Sequence, residues 1–177
     1  AVFFLGGFYN VAATAEDPAI VKWALIQTRT AAINRHATDQ PPANINDAQM
    51  VQTGAKAFDK HGCANCHGAP GVLWLKYSEG LNPDPPDLKK VVDQITPAQL
   101  FWVVKNGINM TGMPSFQLAG AKDEEIWAIV AFIKKLPTVS ETDYKAWTSP
   151  PTAPVAPAPA TPPPAAQPAP NPPASNN

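Results

Sequence analysis

The feature that most constrains the fold of this chain is the run Cys-Ala-Asn-Cys-His at residues 63–67. It holds the only two cysteines among 177 residues, with a histidine directly after the second. Two thiols at this spacing reach one edge of a porphyrin and form thioethers with its vinyl groups, which leaves the adjacent imidazole beside the iron. The motif therefore predicts covalent attachment of one c-type haem (haem c) through Cys63 and Cys66, with His67 as an iron ligand.

Two other uses of paired cysteines fit the sequence less well. A zinc site takes about four Cys or His ligands, and outside the motif the chain offers only His36 and His61. A thioredoxin-like redox pair is expected in a βαβ context, and no alternating strand pattern surrounds residues 63–67. Haem attachment is therefore the favoured interpretation.

The chain contains three methionines that are candidates for the second iron ligand, because His/Met ligation is common in electron-transfer haem proteins. Met50 precedes the motif on a predicted helix, where it is expected to pack in the core. Met113 lies between Gly112 and Pro114, which combine backbone freedom with a fixed loop direction. We therefore expect Met113, rather than Met110, to present its thioether to the iron.

Residues 46–147 resemble a class I monohaem cytochrome c. The resemblance rests on the C-x-x-C-H motif, the later Gly-Met-Pro segment and a final amphipathic helix, in that order. It implies an all-α fold in which the first and last core helices cross around one haem. With His67 and Met113 on the iron, no coordination position remains open, so the expected role is one-electron transfer and not catalysis.

The resemblance also implies haem contacts from the loop after the motif. Pro86-Asp87-Leu88 is similar to a P-x-L segment of the family, in which the proline carbonyl accepts a hydrogen bond from the axial histidine and the leucine contacts the ring. Pro83 and Pro85 remain alternatives for the proline, because the loop is longer here than in shorter family members.

Two aromatic residues in the same loop have roles that the sequence leaves open. A long loop over residues 68–96 in a small domain needs something to organise it, and a haem would do so. Trp74 and Tyr77 either pack on the haem or hydrogen-bond a propionate, or they cover the loop from outside.

Apolar spacing and capping residues predict the core helices. They are expected at 46–60, 97–106, 122–136 and about 140–146. Gly54 and Phe58 resemble the glycine and aromatic positions at which the family's first and last helices cross. Trp127 is expected to meet Phe58 at that crossing.

Three segments lie outside this domain. Residues 1–17 form an apolar segment, interpreted either as the end of a membrane anchor or as a terminus that packs its apolar face on a partner. Residues 18–45 are expected to be an extra helix, over 18–37, and a linker. Residues 148–177 form a Pro/Ala-rich tail, in which twelve of 30 residues are proline, and a disordered or extended conformation is predicted for it. The extra helix and the tail suggest docking elements of a subunit in a larger complex.

The formal net charge of −1 and the absence of a basic stripe argue against nucleic acid as a partner. The resemblance implies redox proteins instead: a dehydrogenase or quinol-oxidising complex as donor, and an oxidase or soluble cytochrome as acceptor. It also implies export to the periplasm, and the apolar N-terminal segment suggests attachment to the outer face of the cytoplasmic membrane. A haem enzyme or gas sensor is the alternative, and it would require a distal ligand that leaves the iron.

Overall fold

The computed structural model describes residues 5–150, so the predicted tail lies outside the described residues from position 151 onward. In the described part the fold is all helical, and the only β-type pairing is an isolated bridge between Ala69 and Val72. The α-helices in chain order are α1 (Ala19–His36), α2 (Ala48–Lys60), α3 (Ala64–His67), α4 (Leu88–Val91), α5 (Pro97–Asn106), α6 (Asp123–Lys135) and α7 (Glu141–Thr148). Short 3-10 helices occur at Lys76–Gly80, Val92–Gln94 and Leu136–Thr138. The all-α prediction is confirmed.

Helices α2 and α6 cross at Gly54. A Cβ atom at this position would lie 1.8 Å from the carbonyl oxygen of Ala128 and 2.9 Å from the Cβ of Phe132. Only a residue without a side chain allows the two backbones to approach this closely. The predicted crossing of the first and last core helices is therefore present.

The ring contacts at the crossing differ from the expected pair. Phe58 makes an edge contact with Phe132, at 5.2 Å between ring centroids, and Trp127 stacks on Phe101 of α5 at 4.1 Å. The expected partnership of Trp127 with Phe58 is thus replaced by two others. Helical spacing identifies the buried face of a helix, but the ring that this face meets depends on the crossing angle.

Helix α5 begins and ends where its capping residues predict. The Thr96 hydroxyl accepts a hydrogen bond from the Gln99 amide, and the Gln99 side chain accepts one from the Thr96 amide. Pro97 occupies the first turn, and Gly107 ends the helix with a φ of 69°. These local interactions fix the direction in which the chain leaves α5.

Helix α7 closes the core beside the crossing. Ser140 caps it by accepting a hydrogen bond from the Asp143 amide. The Tyr144 ring is buried and stacks on Phe132 at 5.6 Å, while its hydroxyl donates to a carboxylate oxygen of Asp59 on α2 at 3.3 Å. The short helix thereby connects α2 and α6 through one side chain.

The segment between the motif and α5 contains more regular structure than the predicted loop, because α4 and two 3-10 helices occur there. Lys134, in the last turn of α6, donates hydrogen bonds to the carbonyl oxygens of Val92 and Ile95 at 2.7 and 3.2 Å. The end of α6 thus binds the end of this segment to the core.

Helix α1 lies on the outside of the domain and contributes no buried residue. Pro18 precedes it as the N-cap, one position earlier than the first-turn place expected from the sequence. The His36 ring stacks on Trp102 of α5 at 6.2 Å, and Gln99 donates a hydrogen bond to Asn34 at 2.6 Å. Among residues 5–150, no helix is long and apolar enough to cross a bilayer.

Candidate haem-binding site

The motif forms a tight helical turn directly after α2. Gly62, with a φ of 70°, reverses the chain, and the Cys63 amide donates a hydrogen bond to the Phe58 carbonyl at 3.0 Å. The His67 amide then donates to the Cys63 carbonyl at 3.0 Å. This turn places Cys63 and His67 one helical turn apart, on the same side of α3.

Cys63 is buried, Cys66 is half-buried, and no disulfide joins them. Burial raises the pKa of the Cys63 thiol to about 12, with a smaller contribution from Cys66 nearby. Reactive C-x-x-C pairs depend instead on a lowered thiol pKa. Within residues 5–150, no group of three or more Cys, His, Asp or Glu side chains is arranged to hold a metal ion directly.

His67 is oriented as an iron ligand would be. Its Nδ1 atom lies 2.9 Å from the carbonyl oxygen of Pro86, which can only accept, so Nδ1 carries the proton. The Nε2 atom is then the one with a free lone pair. Burial lowers the pKa of the imidazole, and the hydrogen bond to Pro86 opposes this in part. The neutral, ligating form is therefore favoured, and this donor set fits a haem c.

A pocket of about 300 Å³ lies beside the motif and the loop that follows it. It is lined by Cys66, His67, Trp74, Ser78, Glu79, Asp84, Pro85, Pro86 and Asp87. Of the three candidate prolines, Pro86 makes the contact with His67.

The sequence also named Trp74, Tyr77 and Leu88 as candidate haem contacts, and the structure places them in different environments. The Trp74 indole N–H donates to Glu79 at 3.3 Å at the pocket wall, and the Tyr77 hydroxyl lies 3.9 Å from the Cys66 sulfur. Leu88 belongs to the buried core cluster and does not line the pocket. A direct haem contact of these three side chains stays a prediction.

The two loop methionines have different environments. Met113 is half-buried and packs against the core, whereas Met110 is 86% exposed and has a φ of 59°. Met113 is not among the residues that line the pocket around His67, and it lies on the loop after α5. The structure therefore brings Cys66, His67 and Pro86 together and leaves ligation by Met113 as a prediction.

Gly107 positions the Met113 loop, which the sequence did not reveal. A Cβ atom on Gly107 would lie 2.6 Å from the carbonyl carbon of Pro114 and 2.7 Å from the carbonyl oxygen of Met113. The Ile108 amide donates to that same Met113 oxygen at 3.1 Å. The sequence signal was a helix-ending glycine shortly before the methionine, which suggested only a stop for α5.

Comparison with models of known protein families gives a match. The family model described as "Cytochrome C oxidase, cbb3-type, subunit III" matches residues 49–133, a range that includes both cysteines, His67 and Met113. No curated protein and no solved structure gives a significant match to the chain. The matched range begins in α2 and ends in α6, so it coincides with the crossed-helix domain. Residues 49–133 are therefore a class I cytochrome c domain, which binds haem c covalently through Cys63 and Cys66 and serves electron transfer.

Proposed function

We propose that this chain carries single electrons through a haem iron ligated by His67 and Met113, as a cytochrome subunit of a larger respiratory or dehydrogenase complex. Its place would be the periplasm, at the outer face of the cytoplasmic membrane. The haem, when bound, supplies a one-electron couple at its iron. The donor would be a dehydrogenase or quinol-oxidising complex, and the acceptor an oxidase or soluble cytochrome.

The observation that carries the proposal is the contact between His67 and Pro86. A carbonyl 2.9 Å from Nδ1 fixes the tautomer and the plane of the ring, and it raises the basicity of Nε2. An imidazole held in this way changes little when the charge on its ligated metal changes. Small structural change between oxidation states is what a rapid electron carrier requires.

Met113 is the best candidate for the second iron ligand. Its thioether is neutral and soft, which favours ferrous over ferric iron and raises the reduction potential. Its backbone is fixed at Gly107, whereas Met110 points into solvent. With His67 and Met113 both bound, the iron offers no open position, and we propose that the chain itself catalyses no reaction.

The first experiment is a visible and near-infrared spectrum of the ferric holoprotein and of two variants. The near-infrared band that reports sulfur ligation should be present in the wild type and absent in Met113→Ala. Met110→Ala is the matched control, because its exposed side chain should leave the band unchanged. A wild type that lacks the band, or binds carbon monoxide when reduced, would favour the haem enzyme or gas sensor.

The outer surface of α1 supports the proposed assembly into a complex. The helix buries no residue, and its exposed apolar side chains include Ile20, Trp23 and Leu25. Cationic Lys22, Arg29 and Arg35 occur without any acidic residue in the helix. Such a surface suits an apolar partner subunit or a membrane boundary.

Deletion of residues 1–40 tests this assembly role. The shortened chain should keep its visible spectrum but lose association with the membrane fraction and with its donor complex. A shortened chain that still co-purifies with the donor complex would contradict the assembly role while leaving the electron-carrier proposal intact.

A further inference from the structure

We propose that the hydroxyl group of Thr111 is a positioning device that holds Met113 in its loop and thereby resists replacement of Met113 on the iron. The proposal rests on the ligation by Met113 proposed above. Thr111 is a positioning residue because it acts only through the backbone of Met113.

The Thr111 hydroxyl connects two backbone groups on either side of the loop. It donates a hydrogen bond to the carbonyl oxygen of Ile108 at 2.8 Å and accepts one from the amide of Met113 at 3.1 Å. The Thr111 amide also approaches the Ile108 carbonyl, at 3.3 Å. One hydroxyl therefore fixes the start of the loop relative to the residue that bears the thioether.

Other hydrogen bonds already close the loop and attach its far end to α5. Before Thr111, the Ile108 amide donates to the Met113 carbonyl at 3.1 Å. After Met113, the Ser115 hydroxyl donates to the Lys105 carbonyl at 2.7 Å, and the Phe116 amide donates to the Val104 carbonyl at 3.2 Å. The remaining freedom lies in the few residues between, where the Thr111 hydroxyl acts.

The interior of the loop needs such a restraint. Met110 adopts a φ of 59°, a conformation that non-glycine residues seldom occupy. Gly112 packs against the end of the Leu81 side chain, where a Cβ atom would lie 2.8 Å from a methyl carbon. Without the hydroxyl, the Met113 amide loses its acceptor and the residues around it gain alternative conformations, each of which moves the thioether.

The effect can be measured as competition between Met113 and an added ligand. Imidazole forms a bond to ferric iron as the bond from the Met113 sulfur breaks, and the iron stays ferric throughout. Without the Thr111 hydroxyl the loop holds Met113 less firmly, so the free energy needed to replace Met113 by imidazole falls. A hydrogen bond of this kind contributes about 1 kcal/mol, so its loss should tighten imidazole binding about fivefold.

The experiment is an imidazole titration of the full-length ferric holoprotein, followed by the loss of the sulfur band. Thr111→Val removes the hydroxyl and keeps the branched shape, whereas Thr111→Ser keeps the hydroxyl. Thr148→Val is the matched control, because the Thr148 hydroxyl donates to the Tyr144 carbonyl at 2.9 Å at the end of α7, outside the site. We expect about fivefold tighter binding in Thr111→Val, and affinities within about twofold of wild type in the other two.

Three results would overturn the proposal: wild-type affinity in Thr111→Val, an equal change in Thr111→Ser, or an equal change in Thr148→Val. If Thr111→Val yields too little holoprotein, Thr111→Ala removes the same hydroxyl and is judged by the same criteria. Failure of the underlying ligation looks different. The wild type would then lack the sulfur band, or Met113→Ala would leave the imidazole affinity unchanged.

Discussion

Replacement of Gly54 by alanine should lower the free energy of unfolding by about 2 kcal/mol. The new Cβ would lie 1.8 Å from the Ala128 carbonyl oxygen, whereas ordinary contacts begin at 3.4 Å. Helix α6 would therefore have to retreat by about 1.5 Å, and the obstacle is backbone, which cannot rotate away. Overpacking of this kind costs about 3 kcal/mol at the upper end of its usual range, and the better helix propensity of alanine returns about 1 kcal/mol.

The assay is guanidinium unfolding of the ferric holoprotein, followed by far-ultraviolet circular dichroism. In thermal unfolding of a domain of this size, the same 2 kcal/mol would correspond to a fall in Tm of roughly 8–16 °C. Gly80→Ala is the control, because a Cβ there meets no atom within 4 Å and Gly80 has no positive φ. A Gly54→Ala variant within about 0.5 kcal/mol of wild type would refute the argument that the crossing depends on a missing side chain.

Three further changes test other contacts. Gly107→Ala should cost about 2 kcal/mol or more in chemical denaturation, because a Cβ there combines a strained φ with backbone contacts at 2.6–2.7 Å; wild-type stability would contradict this. Tyr144→Phe should cost about 1 kcal/mol, since the buried hydroxyl donates to Asp59, and a neutral result would show that this bond contributes nothing. The Lys60 ammonium holds the pKa of the Glu125 carboxyl below its usual range. The charged carboxylate therefore stabilises the fold at pH values above the ordinary pKa of a glutamate, and this stabilisation is lost as the pH falls and the carboxyl is protonated. Glu125→Gln should therefore lower Tm at about pH 7 by the equivalent of about 0.2–1 kcal/mol and not at about pH 3, and an equal loss at both pH values would contradict this.

The parts of the fold that depend on local chemistry could be predicted from the sequence. Helix α5 spans the predicted residues because Thr96, Pro97 and Gly107 define its ends through contacts with their near neighbours. The close approach of α2 to α6 was expected because Gly54 resembles the glycine at which the family's helices cross, and the structure shows no room for a side chain there.

The parts that depend on distant contacts could not be predicted in the same way. The resemblance favoured Pro86 as the acceptor for the His67 hydrogen bond, but Pro83 and Pro85 stayed open because only the conformation of the intervening loop excludes them. The predicted ring partner of Trp127 is wrong, because the ring that a helix face meets depends on the angle between the two helices. The hydroxyl of Thr111 was missed because its partners are backbone groups, which every residue has.

Because α1 contributes no buried residue, we expect it to unfold locally at a lower free-energy cost than the cytochrome domain. In native-state hydrogen exchange, the amides of α1 should exchange through local unfolding of the helix. Those of α2 and α6 should exchange only when the whole domain unfolds. Substitutions on α1 can therefore alter its affinity for other molecules at almost no cost to the protection of the domain that holds the haem. The proposed attachment through α1 and the electron transfer of the domain are in this sense independently adjustable.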